Sequence, residues 1–451
     1  MEQDIKQEVT KKYLSRQKVA AIAGSVILLG GLVVGGIYLL NHHEEQTTVI
    51  SSETSGSAIT LKEGKNKIES SGTYTFTGTI SNGKITVDTT EEVKIILENV
   101  SITNSEGAAI RCQEGSNVTI ELAGENTFIT TDKGNSEEDP AAVISSDAAL
   151  KIGGTGSAKL TGNGKGIKAD ESLTITNGNI SINTADDTIH SNGDIEIAGG
   201  SFTLNTGDDA IHADGNLTIK DGVIKIEKSH EGIEANIVNI LGGDISVIAD
   251  DDGINAQNSN GSSTINVAGD GALNIAGGKV YVNSVGDGLD SNGKIAISGG
   301  TIYVDGPTNN GNGAIDCDGE ISITGGTLVA VGSAGMAQNA TSATQASVLI
   351  NLSGNYSGPL SFGEINFSPA KNYQSILISS NKLSIGQTYD LIINGSTVQS
   401  VTISQNITGQ GSGMMGGGMP GEMQGGQMPN GLSGQQSSGQ TTQPNKQMTR
   451  R

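Results

Sequence analysis

The chain has 451 residues with 48 acidic and 26 basic side chains, which gives a formal net charge of −22 at pH 7. This excess of acid argues against a nucleic-acid-binding protein, because phosphate backbones bind basic surfaces. Aromatic residues make up only 3% and Trp is absent, so a wide aromatic platform for sugar rings is not expected. The length fits several ordinary domains or one elongated repeat array.

An uncharged apolar segment occupies residues 19–40. At about 1.5 Å per residue, a helix of this length spans a ~30 Å hydrocarbon core, so the segment predicts a transmembrane helix. Five basic residues lie within residues 1–18, and none follows the segment closely. This bias predicts a single-pass cell-membrane protein with a cytoplasmic N-terminus and an extracellular C-terminal domain. A cleaved signal peptide is the alternative, although its apolar region is normally shorter.

Two segments lack the apolar periodicity of folded elements. Residues 41–57 are polar and predict a linker between the membrane and an outer domain. Residues 409–451 are rich in Gly, Gln, Ser and Met and predict a disordered tail, since they cannot bury enough apolar surface to fold. The predicted folded domain therefore covers residues 58–408.

A repeat of about 22 residues runs through this domain. Each copy contains three short alternating segments, and alternation with period two predicts strands with tight turns between them. We call the recurring apolar residue the anchor; it stands at Ile110, Ile144, Ile167, Ile189, Ile211, Ile233, Ile254, Leu289 and Ile315. Three strands per repeat with no room for a helix predict an all-β solenoid, a parallel β-helix whose rungs stack about 4.8 Å apart.

Stacking the repeats aligns further columns. Two residues after the anchor every side chain is small, and Cys112 and Cys317 both lie in this column, roughly 38 Å apart at about 4.8 Å per rung. They cannot form an intramolecular disulfide, which needs Cα atoms within about 7 Å. A glycine two residues before the third strand predicts positive φ at Gly178, Gly200, Gly222, Gly243, Gly278, Gly300 and Gly326. Small β caps are expected over residues 58–100 and 346–408, where the repeat weakens or lapses.

Carboxylates dominate one edge of the predicted solenoid. Acids stand two residues before the anchor on five successive rungs, and neighbours in such a ladder repel by about 3 kcal/mol at an effective dielectric of about 20. Oxygen-rich clusters suit calcium, which takes six to eight oxygen ligands, whereas solvated turn aspartates are the alternative. The candidate calcium ligands are Asp186, Asp187, Asp208, Asp209, Glu231, Asp251, Asp252, Asp287 and Asp290.

Other side chains near this edge are candidates for sugar binding or catalysis. His190 and His212 lie one rung apart beside the acids, where a hydrogen bond to a carboxylate is favoured over a zinc site. Tyr281 and Tyr303 occupy equivalent outward positions and could stack on a sugar ring, or simply pack across the strands. Lys165 and Lys168 precede the acidic rungs and are candidate bases, although salt bridges to Asp186 and Asp187 are the favoured interpretation.

Several motifs resemble the bacterial carbohydrate-binding domain family. They are the DD-x-I-H-x-x-G blocks at residues 186–193 and 208–215, the DDGINA block at 251–256 and the segment at 368–396. The resemblance covers about residues 58–408 and implies a cell-surface, right-handed parallel β-helix similar to pectate lyases. It also implies binding of calcium and of polygalacturonate-type polysaccharide, with calcium held at the DD blocks.

These observations together predict calcium-dependent, non-catalytic binding of acidic polysaccharide at the cell surface. A divalent cation is required on physical grounds, because a chain of net charge −22 repels a polyanion unless cations lie between them. A calcium-dependent pectate lyase is one alternative, in which a Lys removes the proton next to the uronate carboxyl. A structural adhesin or spacer without sugar binding is the other.

Overall fold

The computed structural model describes residues 46–50, 57–113, 115–131, 142–257 and 269–411. These residues form strands, turns and loops, and none of them belongs to a helix that could cross a membrane. The predicted transmembrane helix at 19–40 lies outside the described residues. The predicted tail at 409–451 also lies outside them, apart from its first three residues.

The described residues contain 39 strands. The N-terminal strands are β1 (Thr47–Ile50), β2 (Ile59–Thr60), β3 (Gly64–Ile68), β4 (Gly72–Ile80), β5 (Gly83–Val87), β6 (Glu92–Asn104), β7 (Ile110–Cys112), β8 (Asn117–Ala123), β9 (Glu125–Thr130), β10 (Ala142–Ser146), β11 (Leu150–Gly154), β12 (Ser157–Gly162) and β13 (Lys165–Ala169). The central strands are β14 (Leu173–Ile175), β15 (Asn179–Thr184), β16 (Ile189–Ser191), β17 (Ile195–Ile197), β18 (Ser201–Asn205), β19 (Ile211–Ile219), β20 (Val223–Ser229), β21 (Ile233–Ile240), β22 (Asp244–Ala249), β23 (Ile254–Ala256), β24 (Ala272–Ile275), β25 (Lys279–Ser284) and β26 (Leu289–Ser291). The C-terminal strands are β27 (Lys294–Ile297), β28 (Thr301–Asp305), β29 (Ile315–Cys317), β30 (Ile321–Ile323), β31 (Thr327–Gly332), β32 (Ser342–Ala343), β33 (Ala346–Tyr356), β34 (Leu360–Phe362), β35 (Ile365–Phe367), β36 (Tyr373–Ser380), β37 (Thr388–Ile393), β38 (Ser396–Thr402) and β39 (Ile407–Thr408).

The parallel β-solenoid predicted from the repeat is confirmed, and its register is the one that the anchors predict. Each anchor pairs with the next, for example Ile167 with Ile189 and Ile189 with Ile211. Continuing this column toward the N-terminus through Ile85, Asn66 and Thr48 gives twelve rungs in the described residues. The right-handed sense of the winding stays a prediction.

Alternation of side chains builds the core. In β14 and β17 the outer two residues are buried and the middle one is half-buried, as expected for strands with one face inside. Successive rungs place Ile, Leu and Val above one another, so a single continuous hydrophobic core runs along the solenoid axis. The core is therefore mainly an aliphatic ladder, with Tyr74, Phe76, Phe128 and Phe202 fully buried within it.

The column of small residues and the column of glycines both match the sequence predictions. Cys112 and Cys317 are buried, and both thiols are free. All seven predicted glycines have positive φ, from +77° at Gly326 to +128° at Gly178. At Gly300, with φ of +84°, an added Cβ would also lie 2.8 Å from the carbonyl oxygen of Gly277. The glycine column therefore marks a corner that other residues fit poorly.

The N-terminal cap predicted for residues 58–100 is a wrong prediction. Strands β3 and β5 in this segment pair in parallel with each other, and β4 pairs in parallel with β6, so they belong to the solenoid. β1 pairs in parallel with β3, which places part of the predicted 41–57 linker in the first rung. The repeat was not visible there because polar residues such as Asn66 replace the apolar anchors; Asn66 is buried and donates to the carbonyl oxygen of Lys62 at 2.8 Å.

The C-terminal segment is a β structure of a different kind. Strand β36 pairs antiparallel with β31 of the last rung and with β33, so it covers the exposed edge of β31. Strands β35, β34, β37 and β38 form a separate antiparallel sheet in that order. A second hydrophobic core, which includes Phe362, Tyr373 and Leu391, packs between these parts.

Candidate functional site

The acids before the anchors form a continuous column on one edge of the solenoid. The backbone N–H of Thr188 donates to the carbonyl oxygen of Asp209 at 3.1 Å, and the same contact recurs at Ala210, Gly232 and Gly253. These bonds place equivalent residues on five successive rungs. We call them the acidic column: Asp187, Asp209, Glu231, Asp252 and Asp287.

A second column, one residue after the anchor, changes its charge along the axis. Its members are in register on successive rungs: Arg111, Ser145, Lys168, His190, His212, Glu234, Asn255, Asp290 and Asp316. We call this the outward column. Its basic members all precede its acidic members, so the edge has two parts of different charge. The basic half contains Lys165, Lys168, His190 and His212, and the acidic half contains Glu231, Asp252, Asp287, Asp290 and Asp316.

The two lysines of the basic half are engaged in ion pairs. Lys165 donates to Asp186 at 2.9 Å and also to Asp187, as the sequence predicted. Lys168 lies 2.7 Å from Asp170 on its own rung, so its predicted pairing with Asp186 and Asp187 is wrong. The reason is the position of each lysine relative to the anchor of its rung. Lys165 stands two residues before the anchor, as Asp187 does on the next rung, whereas Lys168 stands one residue after the anchor.

The two histidines stack on each other within the same half. Their ring centroids lie 4.9 Å apart with 15° between the planes. Nδ1 of His190 lies 2.8 Å from Asp187, and Nε2 lies 3.0 Å from the amide oxygen of Asn192. Nδ1 of His212 lies 2.9 Å from Asp209 and 3.2 Å from Glu234, and Nε2 lies 3.1 Å from Asp214. Both nitrogens of each ring thus face acceptors, and for His212, which faces three carboxylates, the imidazolium form satisfies them fully.

Electrostatics in the basic half favour the charged forms of Asp187 and His212, whereas burial raises the pKa of Asp209 to about 6. Burial opposes the charge of Asp187, but the hydrogen bond from His190 and the charge of Lys165 outweigh it and lower the pKa of this carboxyl. Burial also opposes the charge of His212, but its hydrogen bonds to Asp209 and Glu234 raise the pKa to about 11. Lys165 and His212 therefore act as built-in countercations for this part of the edge.

The acidic half brings three carboxylates together. One oxygen from each of Asp287, Asp290 and Asp316 lies within 4.8 Å of the others. Asp287 accepts the backbone N–H of Gly313 at 2.5 Å, and its own N–H donates to Asp252 at 2.6 Å. Among the described residues, no Lys, Arg or His side chain forms an ion pair with Asp287, Asp290 or Asp316.

Burial and the charges of neighbouring acids raise several pKa values in this half. Burial, followed by the charges of neighbouring acids, raises the pKa of Asp290 to about 8 and that of Glu231 to about 8. Burial and the charges of Asp316 and Asp252 raise the pKa of Asp287 to about 7, although the Gly313 hydrogen bond opposes the shift. The acidic half is therefore the part of the edge that an external cation would stabilise most.

Asn255 places a neutral amide oxygen next to the carboxylates of the acidic half. The residue is only 4% exposed, and it lies in the outward column between Glu234 and Asp290. Its Nδ2 donates to Glu231 at 3.0 Å, toward the preceding rung. Its Oδ1, on the other side of the amide, has no hydrogen-bond partner among the described residues. A buried amide oxygen without a donor is costly and calls for a ligand.

The two predicted sugar-stacking tyrosines are neighbours, as expected. Each of them also contacts another protein side chain. Tyr281 and Tyr303 pair on β25 and β28. The hydroxyl of Tyr281 donates to Asp305 at 2.8 Å, and the Tyr303 ring stacks on Phe367 with centroids 4.9 Å apart. Their role in sugar binding stays a prediction, and Phe367 is a contact that the sequence did not reveal.

The candidate ligand set predicted from the sequence does not include three side chains that the structure places along this edge. Glu234 and Asp316 were recognised in the outward column, and Asn255 was recognised there as well, yet none was assigned to a metal. The signal that could have found them is the column itself, because stacking places Asn255, Asp290 and Asp316 on adjacent rungs.

Comparisons with known proteins identify similar sequences. A profile of the family described as carbohydrate-binding domain-containing protein matches residues 62–313. A relative from Acetivibrio thermocellus with the same description is 35% identical over 133 residues, which cover 28% of this chain and 46% of the relative. The chain thus matches about half the length of this curated relative.

A solved structure also resembles the chain. It is described as the polysaccharide lyase-like protein from C. thermocellum in a gadolinium derivative, with 25% sequence identity and a TM-score of 0.35. The alignment covers 58% of this chain and 88% of that one. Because the family profile spans more than half of the sequence, the chain belongs to the carbohydrate-binding domain-containing protein family.

Proposed function

We propose that the solenoid binds acidic polysaccharide of the polygalacturonate type through calcium ions held in the acidic half. The observation that carries this proposal is the unpartnered, buried Oδ1 of Asn255 beside the Asp287, Asp290 and Asp316 cluster. The ladder repels itself without a cation, and family membership supports a carbohydrate as the partner.

The donor set suits a hard cation. Asn255 would provide one neutral oxygen, and Asp287, Asp290 and Asp316 would provide carboxylate oxygens. Calcium takes six to eight oxygens at 2.3–2.6 Å, so four protein ligands would leave positions for water and for a uronate carboxylate. The bound ion would thus join an acidic protein to an acidic polymer, which direct contact would not allow.

The basic half has a different role in this proposal. Asp186, Asp187, Asp208 and Asp209 were expected to hold calcium, but Lys165 already supplies positive charge beside Asp186 and Asp187, and His212 does so beside Asp209. We therefore assign calcium first to the acidic half, and to the basic half the role of a rigid, internally neutralised continuation of the edge. Glu231, Asp251 and Asp252 flank the proposed site and add negative potential.

Thermal unfolding tests the metal site and the ligand together. We expect calcium to raise the melting temperature, and polygalacturonate to raise it further only when calcium is present, because ligands of the native state stabilise it. Asp290→Asn should remove most of the calcium effect. Asp244→Asn is the matched control, since Asp244 is an exposed carboxylate outside the cluster. Equal calcium stabilisation in both variants would refute the proposed site.

The lyase alternative lacks a suitable base among its two predicted candidates. Burial opposes the charge of Lys165, but the charge of Asp187 and two hydrogen bonds outweigh it and raise its pKa, so the amine stays protonated near neutral pH. Lys168 is held by Asp170. We expect no ultraviolet-absorbing unsaturated uronates from pectate with calcium. Their formation, and its loss in Lys168→Ala, would establish the lyase instead.

The cellular setting is part of the same proposal. A membrane anchor at residues 19–40 would hold the solenoid at the outer cell surface, where acidic polysaccharides are met. The alternative of a pure spacer or adhesin predicts no calcium-dependent signal on a glycan array, whereas the proposed function predicts signals from uronate-containing glycans that disappear with chelator.

A further inference from the structure

We infer that Tyr281 and Tyr303 form an aromatic sugar subsite that a strap of this chain, residues 367–371, covers in the described structure. This inference rests on the proposed function, because it extends the polysaccharide-binding surface from the acidic half to the adjoining strand face. The ligand class is a pyranose ring that stacks on tyrosine. Phe367 takes the place of that ring.

The Tyr303 face carries a stacked ring in the structure, and both rings pack against the second hydrophobic core. The Tyr303 and Phe367 rings are 4.9 Å apart between centroids with an angle of 24° between their planes. Tyr281 lies directly beside Tyr303 on the neighbouring strand. Two tyrosines about 4.8 Å apart along the axis offer a small apolar platform, and aromatic faces attract apolar ring surfaces.

The strap is held to the solenoid by two polar contacts. The backbone N–H of Ala370 donates to Asp305 at 3.0 Å, and the Lys371 ammonium donates to the carbonyl oxygen of Ser284. Asp305 also accepts from the hydroxyl of Tyr281 at 2.8 Å. The same buried carboxylate therefore holds both the strap and one tyrosine of the platform.

The two charged groups that hold the strap, Asp305 and Lys371, are buried and half-buried respectively, without full compensation of their polar atoms. Asp305 is fully buried, and its Oδ1 has no hydrogen-bond partner among the described residues. Burial lowers the pKa of Lys371 to about 8, against the opposing charge of Asp305. A buried carboxylate oxygen without a donor and a partly desolvated amine both lower the cost of releasing the strap.

The backbone of the strap is also weakly secured. Phe367 is the last residue of β35, a three-residue strand at the edge of the small sheet that pairs only with β34. Ser368, Ala370 and Asn372 are exposed. Short edge elements open at lower free energy than the core, so the strap can lift while the solenoid stays folded.

The covered platform adjoins the proposed calcium site. Ser284, which holds Lys371, precedes Asp287 of the cluster by three residues, and Tyr281 precedes Ser284 on the same strand β25. A polysaccharide chain bound at the acidic half would therefore have the tyrosine face within reach. Binding of its next ring would compete with Phe367 for Tyr303.

Phe367→Ala tests the inference with galacturonate oligomers as the probe. We expect at least a threefold gain in affinity, measured by calorimetry, because the competing ring is removed, and we expect Tyr303→Ala in the same background to abolish that gain. The assay is run in calcium and in chelator. If Phe367→Ala gains affinity in chelator, the tyrosine subsite binds the sugar independently of calcium. Binding by the wild type in calcium tests the proposed calcium-dependent function alone. Unchanged or weaker affinity of Phe367→Ala would overturn the inference.

A second variant protects the test against a folding defect. Lys371→Met removes the contact to Ser284 but keeps the aliphatic stem, so the small sheet should remain folded by circular dichroism. We expect faster amide exchange in residues 367–372 and the same direction of change in affinity. Unchanged exchange together with unchanged affinity contradicts a releasable strap.

Discussion

His190 and His212 stack with ring centroids 4.9 Å apart, and each donates from Nδ1 to the carboxylate three residues before it, Asp187 or Asp209. The repeat thus reproduces one histidine–carboxylate contact on two successive rungs. It also separates the edge into a part that carries its own cations and a part that does not. This separation underlies the assignment of calcium to the acidic half.

Replacement of His212 tests its role as a countercation. His212→Leu should lower the free energy of unfolding by roughly 3 kcal/mol, because it leaves Asp209 and Glu234 partly buried and without positive charge. Urea denaturation at neutral pH measures this change. His230→Leu is the control, since His230 pairs with the exposed Asp250 and should change stability by less than about 1 kcal/mol. Equal effects of the two variants would show that His212 is an ordinary surface histidine.

Asp290→Asn should have opposite effects with and without metal. In chelator at pH 9, above the raised pKa of about 8 of Asp290, the variant should unfold at a higher urea concentration than the wild type, because it removes repulsion of up to about 3 kcal/mol from Asp287 and Asp316. In calcium the order should reverse, since the variant loses a charged ligand. A variant that is less stable than the wild type in both conditions would contradict the proposed repulsion.

The free energy of unfolding of the metal-free protein should fall as the pH rises from mildly acidic to mildly alkaline values. The pKa values of Asp287, Asp290 and Glu231 are raised to about 7, 8 and 8, so the native state retains protons that the unfolded chain releases above about pH 4. The free energy of unfolding therefore falls as pH rises from about 4 to 8. His212, with its pKa raised to about 11, acts in the same direction above about pH 6.5. Urea denaturation in chelator at pH 5 and pH 8 measures the slope, and greater stability at pH 8 contradicts it.

The glycine column should be sensitive to substitution. Gly300→Ala should destabilise the protein by about 1–3 kcal/mol, because its φ of +84° is unfavourable for other residues and the new Cβ would meet the carbonyl oxygen of Gly277. Gly354→Ala is the control, since nothing lies within 4 Å of a Cβ there. Thermal unfolding of both variants compares the two positions. Equal melting temperatures would show that the column tolerates side chains.

Much of the solenoid could be predicted from the sequence because its pattern is strictly periodic. The spacing from Ile167 to Ile189 and Ile211 established both the period and the register, and Gly222 or Gly300 in the same relative position predicted positive φ. The first rungs could not be predicted in this way. There Asn66 occupies the anchor position and forms hydrogen bonds to backbone groups, so no apolar signal remains.

The candidate site was predictable as an edge but not as a set of contacts. Column alignment placed Asp187 beside His190 and His212, and Asp290 beside Asp316, since successive rungs are vertical neighbours. It could not show that Lys168 turns to Asp170, or that Phe367 from a distant segment covers Tyr303. Those contacts depend on side-chain direction and on packing of the C-terminal segment, which repeat spacing does not specify.

Calorimetric titration of galacturonate oligomers into the protein, in calcium and in chelator, tests the central claim most directly. The account predicts saturable binding in calcium, its loss in chelator, and its loss in Asp290→Asn but not in Asp244→Asn. Binding of undiminished affinity in chelator would contradict a calcium bridge between the acidic half and the polysaccharide.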